Sequence, residues 1–235
     1  MPFFRGTRGE MACPFAWNPS EPTGKGLART KDPALASLFT YDAFLADAEV
    51  RRRFWEVFAG RQGEVLPNVA HRALAELEAG GKALRIITQN VDGLHQKAGS
   101  TPRKVVELHG SLASATCPRC GDRSPAAEAI RQLPGEPLCP CGGALKPSVV
   151  MFGEYLDPDV LSLARNITAA AELFLAVGSS LQVEPAASLC AQAVDCGARL
   201  VIVNRDPTPY DDLATAIIRD PIGTALPEIC AALTR

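Results

Sequence analysis

From residue 83 onward, short and nearly continuous apolar runs alternate with amphipathic patterns, and this alternation leaves few folds open. The apolar runs are ALRIIT (83–88), KVVEL (104–108), SVVMF (148–152), LFLAV (173–177) and RLVIV (199–203). Helical patterns lie between several of them: PDVLSLARNITAA, EPAASLCAQAVDCG, and a last one from Thr224 to Leu233. Strands apolar on both faces and separated by helices predict an α/β fold, a Rossmann-like parallel sheet covered by helices on both faces. Upstream, YDAFLADAEVRRRFWEVFAG predicts one helix with Phe44, Leu45, Val50, Phe54, Val57 and Phe58 inward and a stop at Gly60. PNVAHRALAELEAGG predicts another, with Ala70, Leu74 and Leu77 on one stripe and Gly80-Gly81 closing it. Residues 1–30 carry prolines at 2, 14, 19 and 22 and glycines at 6, 9, 24 and 26, which reads as an irregular segment without a strand.

Residues 112–147 interrupt the alternation. They are rich in Cys, Pro, Gly and Arg and poor in large apolar residues. A module of about 35 residues buries too little apolar surface to fold alone. CPRC (117–120) and CPC (139–141) supply four cysteines in paired spacing. Cys117, Cys120, Cys139 and Cys141 are therefore expected to hold one structural zinc, all four positions filled by protein and closed to catalysis. The domain expectation is a zinc-binding module at 112–146, inserted in a Rossmann-like domain made of 31–111 and 147–235. The helical part at 40–60 belongs with the small-domain, cofactor-loop region.

The polar residues cluster where apolar runs end. ALRIIT passes at once into Gln89, Asn90 and Asp92, and KVVEL into His109-Gly110. LFLAV ends in Gly178-Ser179-Ser180, and RLVIV in Asn204-Arg205-Asp206. In an open α/β sheet, ligands bind outside the carboxyl ends of the strands. Amides orient sugar hydroxyls, a carboxylate accepts from an amide, and an imidazole moves a proton near neutral pH. Together the turns favour a dinucleotide. No G-x-G-x-x-G follows a first strand.

Charge excludes other classes. The 235 residues carry 24 basic and 26 acidic side chains, a formal net charge of −2. No basic field points to nucleic acid or a membrane surface. No apolar run approaches the ~20 residues of a bilayer span, and MPFFRGTRGEMACPF lacks the apolar core of a secretory signal. A cytoplasmic protein, monomeric by default, is the expectation. Cys190 and Cys196 lie in an Ala-rich helical pattern and read as small core hydrophobes.

TQNVDGLHQKAG, ELHG, the four-cysteine ribbon, LKPSVVMFGE, VGSSLQVEPAA and VNRDPTPYD together resemble the sirtuins, NAD-dependent protein-lysine deacylases. The likeness covers about residues 31–235, and TKDP, DAFLADAEVRRR and PIGTALPEI are most similar to actinobacterial members. It implies that His109 is the general base and that Gln89 and Asn90 hold the nicotinamide ribose, beside Val91. Asp92 meets the nicotinamide carboxamide. Gly178, Ser179 and Ser180 line the phosphate and ribose region. Asn204, Arg205 and Asp206 contact the adenosine side, with Ile222 near the adenine. Val150 and Phe152 line the acyl-lysine tunnel. Gly153-Glu154 and the Gln182–Glu184 segment, Val183 included, receive the acyl-lysine substrate as an added strand. The implied products are nicotinamide, the free lysine and O-acyl-ADP-ribose. His95 is expected to be structural, and His71 a surface or capping residue.

The start of the chain departs from the family pattern of a first strand, a GAG-x-S loop and a segment like IPDFRG. If MPFFRG corresponds to that last segment, Phe4 and Arg5 take its aromatic and cationic cofactor positions, and the first strand is missing from the sheet. Two accounts follow: a start downstream of the native one, or a shortened, catalytically weak binding module. The intact set at 89–109 favours the first. Mono-ADP-ribosyl transfer shares the first chemical step and is a further alternative. Members that remove succinyl groups carry Tyr-x-x-Arg near the tunnel; the comparable place here is Trp55-Glu56-Val57-Phe58, which predicts a preference for neutral acyl groups.

Overall fold

The computed structural model describes residues 2–4, 38–60 and 65–234. In chain order the elements are β1 (Pro2–Phe4), α1 (Tyr41–Ala46), α2 (Ala48–Gly60), α3 (Val69–Ala79), β2 (Ile86–Thr88), α4 (Leu94–Lys97), β3 (Val105–Glu107), β4 (Gly110–Thr116), β5 (Arg123–Pro125), α5 (Ala126–Ile130), β6 (Lys146–Val149), α6 (Pro158–Ala169), β7 (Leu173–Val177), α7 (Leu189–Asp195), β8 (Arg199–Val203), β9 (Ala216–Ile218) and α8 (Ile222–Leu233). Six strands make one parallel sheet in the order β3-β2-β1-β7-β8-β9. The pattern along β7 explains why helices cover both faces. Phe174 and Ala176 join a core with Ala164 of α6 and Cys190 of α7. Leu175 and Val177 join another with Leu74 of α3 and Leu226 of α8. Strand side chains alternate between faces, so a run apolar throughout needs cover on both.

The strand expected to be missing from the sheet has its place taken by Pro2–Phe4. β1 pairs with β2 through Phe3 and Phe4 and with β7 through Pro2, Phe3 and Phe4. The expectation of no strand before residue 30 is therefore corrected. Three residues among prolines and glycines are too few for a period-2 signal; only neighbours on both sides make them a strand.

SVVMF also needs correction. Its first part lies in β6, which runs antiparallel to β4 in a second sheet, β5-β4-β6. An apolar run does not say which sheet it joins. Gly110, at the start of β4, has φ +78°, and a Cβ there would lie 2.0 Å from the Ser148 carbonyl oxygen. Only glycine allows the two strands to meet so close to His109.

The single helix expected over 41–60 is two. Asp47 is extended at φ −128°, and its carboxylate accepts from the Glu49 amide at 2.8 Å. An aspartate that caps the next turn ends one helix and starts another. Phe39, Phe44, Phe54, Trp55 and Phe58 form a third core with Met151 and the zinc-module residues Ala115, Cys117 and Cys139. Trp55 donates its indole N–H to the Leu145 carbonyl at 2.8 Å. Among the described residues no helix is long and apolar enough to cross a membrane.

His71 is not at the surface. It sits at N3 of α3 and completes a capping box with Asn68, wholly buried with its ring 4.7 Å from that of His95. Burial, aided by the Arg72 charge, pushes His71 down to about 4, and burial, aided by His71, pushes His95 down to about 3. Both are neutral in the folded protein, whereas the unfolded chain protonates them near pH 6.5. Stability is thus complete above about pH 6.5 and is lost as pH falls towards the folded values, by about 2 kcal/mol per histidine between pH 7 and 5. Thermal unfolding should show Tm falling by roughly 10 °C over that interval. A His71→Gln/His95→Gln variant should flatten the curve; an equally steep one would reject this cause.

Candidate active site

The strand order reverses direction between β1 and β7, as in dinucleotide-binding folds, and the crevice lies at the carboxyl ends of the strands there. β2 ends into Gln89 and Asn90, β3 into Leu108-His109, β7 into Gly178–Ser180, and β8 into Asn204–Asp206. All four groups predicted from sequence follow carboxyl ends of this sheet.

His109 is buried, 8% exposed. Its Nδ1 lies 3.0 Å from the Gln89 carbonyl oxygen. A carbonyl only accepts, so Nδ1 carries the hydrogen and Nε2 the basic lone pair. The His109 carbonyl accepts from the Val150 amide at 2.9 Å. The ring is thus tied to the turn after β2, and its backbone to the segment after β6.

Gln89 is 1% exposed, and its side-chain oxygen has no hydrogen-bond partner among the described residues. A buried, unmet acceptor costs about 1–3 kcal/mol, which a donor in the crevice would recover. A ribose hydroxyl is such a donor, so the chain's residues fit a bound NAD. The Asn90 amide donates to Thr88 Oγ1 at 3.0 Å, and Asp92 Oδ1 accepts from the Leu94 amide at 3.0 Å, an Asx turn opening α4. Burial pushes the Asp92 pKa up, against the Leu94 amide and the Lys97 charge. Val91 is buried, and its carbonyl accepts from the Leu112 amide at 2.9 Å.

Across the crevice, Gly178 has φ +62° and Leu181, which is not a glycine, φ +53°. Such a conformation costs a branched residue about 1–2 kcal/mol. Leu181 is buried, and its amide donates to Ser179 Oγ at 3.1 Å, which holds the turn. Ser179 is buried and Ser180 half-buried. Asn204 is buried, and its side-chain amide donates to the Asp206 carbonyl at 2.8 Å; Arg205 and Asp206 form an exposed ion pair at 3.1 Å. Sequence reasoning missed Arg219, whose Nη1 donates to the carbonyls of Asn204 and Asp206, each at 2.9 Å. It follows β9, a strand too short and too exposed to announce itself. Ile222 packs into the core under this loop, beside Val177 and Val203.

In the segment after β6, Val150 is half-buried and Phe152 48% exposed. The Phe152 amide donates to the Phe39 carbonyl at 3.0 Å, and its carbonyl accepts from the Tyr41 amide at 2.9 Å. Gly153 is exposed with φ +85°. The Glu154 carboxylate turns inward, accepting from the Met151 amide at 2.9 Å and from Lys146 Nζ at 3.0 Å. Val183 is half-buried in the turn before α7. The Phe4 backbone lies in β1, while its side chain and Arg5 lie outside the described residues.

The sulfurs of Cys117, Cys120, Cys139 and Cys141 all lie within 4.8 Å of one another. Cys117 and Cys141 are 3.5 Å apart, Cys120 and Cys139 3.7 Å. A tetrahedron with zinc–sulfur bonds of about 2.3 Å has edges of about 3.8 Å, so the residues fit the ion. Backbone amides of Arg119 and Cys120 donate to Cys117, that of Asp122 to Cys120, and that of Cys141 to Cys139. At Gly143 a Cβ would lie 2.8 Å from the Cys117 sulfur. The knuckle geometry therefore depends on that glycine.

The family model described as "Sir2 family" matches residues 27–185. An NAD-dependent protein deacetylase 2 from Streptomyces coelicolor is 51% identical over 210 residues, 86% of each chain. An NAD-dependent protein deacetylase from Halalkalibacterium halodurans is 45% identical over 214 residues, 90% of this chain and 86% of its own. A solved structure described as "Sir2-p53 peptide-NAD+" superposes with a TM-score of 0.75 at 35% identity, over 86% of this chain and 85% of that one. With this sheet order, this crevice and these four cysteines, the chain belongs to the Sir2 family.

Proposed function

We propose that the protein is an NAD-dependent protein-lysine deacylase that takes NAD, water and an acyl-lysine protein and releases nicotinamide, the free lysine and O-acyl-ADP-ribose. The observation that carries this reading is the buried His109 imidazole, its tautomer set by the Gln89 carbonyl, at the switch point of a Rossmann-type sheet. Its family relatives named as NAD-dependent protein deacetylases agree with it.

When bound, NAD would supply a ribose carbon made electrophilic by its nicotinamide leaving group. Gln89 and Asn90 orient the ribose hydroxyls, and Asp92 receives the carboxamide. His109 Nε2 takes the proton from a ribose hydroxyl, and the Nδ1–H bond to Gln89 stabilises the imidazolium that results. Gly178–Ser180 and Asn204–Asp206 hold the phosphate and adenosine ends, and Val150 and Phe152 line the acyl-lysine path. Cys117, Cys120, Cys139 and Cys141 would hold a structural zinc beside β4 and β6, with no position open to the chemistry.

Nicotinamide release measured with and without an acetyl-lysine peptide tests the reading. Release that depends on the peptide, with deacylated peptide formed in step, is expected. Release at the same rate without it would favour ADP-ribosyl transfer to another acceptor. Acetyl-lysine should be processed faster than succinyl-lysine; the reverse order would reject the preference for neutral acyl groups.

A further inference from the structure

Among the described residues the mechanism leaves a buried cation unused. Lys146, in β6, is 6% exposed. Its ammonium donates to the Val149 carbonyl at 2.6 Å, the Pro147 carbonyl at 3.2 Å and Glu154 Oε2 at 3.0 Å, with the Tyr41 ring centre 5.9 Å away. Burial works against its charge, and Glu154 restores part of it. A buried ion pair is weak ground for stability, since apolar residues of similar volume often do as well. Its location offers another reason. Two of these acceptors, the Pro147 and Val149 carbonyls, lie in β6 just before Val150, and the third, Glu154, lies in the turn just past Phe152.

That segment is a closed turn: Glu154 Oε2 accepts from the Met151 amide at 2.9 Å, and the Glu154 amide donates to the Met151 carbonyl at 3.0 Å. Lys146 staples the turn to the strand before it. At the same place the Val150 amide donates to the His109 carbonyl, and Phe152 is bonded to Phe39 and Tyr41. The ammonium therefore stands where the backbone of the catalytic base, the acyl-lysine wall and the start of α1 meet.

We propose that Lys146, paired with Glu154, is a positioning residue that sets Val150 and Phe152 in register with His109 and so fixes the acyl-lysine relative to the base. This rests on the deacylase reading above. The Glu154 carboxylate then shapes this wall from the turn's interior, and its backbone stays available to an added strand.

Steady-state kinetics with an acetyl-lysine peptide, on zinc-replete protein, tests the proposal. Lys146→Met should raise the peptide KM at least about tenfold, as small misplacements of a reacting group do. The NAD KM and the thermal shift produced by ADP-ribose should stay within about twofold. Lys146→Arg, which keeps the charge and donors, should recover most of the loss, and Glu154→Gln should fall between. If Lys146→Met does not fold, the Lys146→Met/Glu154→Met variant, which removes both charges, must show the same split. Unchanged peptide KM in folded variants would overturn the proposal, as would parallel loss of peptide KM, NAD KM and ADP-ribose shift. A wild-type protein without peptide-dependent nicotinamide release would instead remove the deacylase reading itself, and the same assay shows it before any variant is made.

Discussion

His109→Ala is expected to lower deacylation by about 10²- to 10⁴-fold, the contribution of a positioned general base. The ring does two things that alanine cannot: Nε2 accepts a proton, and Nδ1–H donates to the Gln89 carbonyl. His109→Asn separates them, because its amide still offers a donor on that side but no base. Both variants should lose turnover to a similar extent, with Asn the more stable protein. Zinc content should match wild type in both, since the four cysteines belong to the module beyond β4. Turnover within a few fold of wild type in His109→Asn would show that the proton goes elsewhere.

Cys139→Ala should act on folding first. Structural zinc sites hold their metal with an apparent free energy of about 10–16 kcal/mol, and this becomes folding free energy in a module with a small core. Cys139 is buried and shares a core with Phe54, Trp55 and Met151. Its loss should abolish stoichiometric zinc, open residues 112–147 to limited proteolysis, and lower the unfolding temperature. Activity should fall as well, for a geometric reason. β4 begins directly after His109, β6 ends directly before Val150, and Gly110 pairs with Val149 between them. Metal analysis, proteolysis and turnover on one preparation check this. Full zinc occupancy in Cys139→Ala would refute the ligand assignment.

Much of this was legible in the chain because it depends on neighbours in sequence. Paired cysteines announce a metal knuckle, since each pair is set by a turn of two or three residues. The apolar runs ending in QN, HG, GSS and NRD placed the crevice before any fold was known, because in a parallel sheet those ends all point one way. Local reading had less to work with at Pro2–Phe4, which are a strand only through β2 and β7, and at Ala216–Ile218, which only β8 organises. It merged α1 with α2, because Asp47 breaks a pattern whose apolar spacing continues across it.

The sequence alone therefore determined the class of fold, the paired cysteines and the polar groups gathered at the carboxyl ends of the strands, all of which follow from periodicity and short spacings. Tertiary structure decided which partners those groups have. The partner of Nδ1 lies twenty residues away in the chain, and it selects the basic nitrogen of His109. Lys146 and Glu154 became a pair only when β6 paired with β4 and the following turn folded back over it. Eight residues apart in the chain, the two charges meet through distance in space, which no local pattern carries.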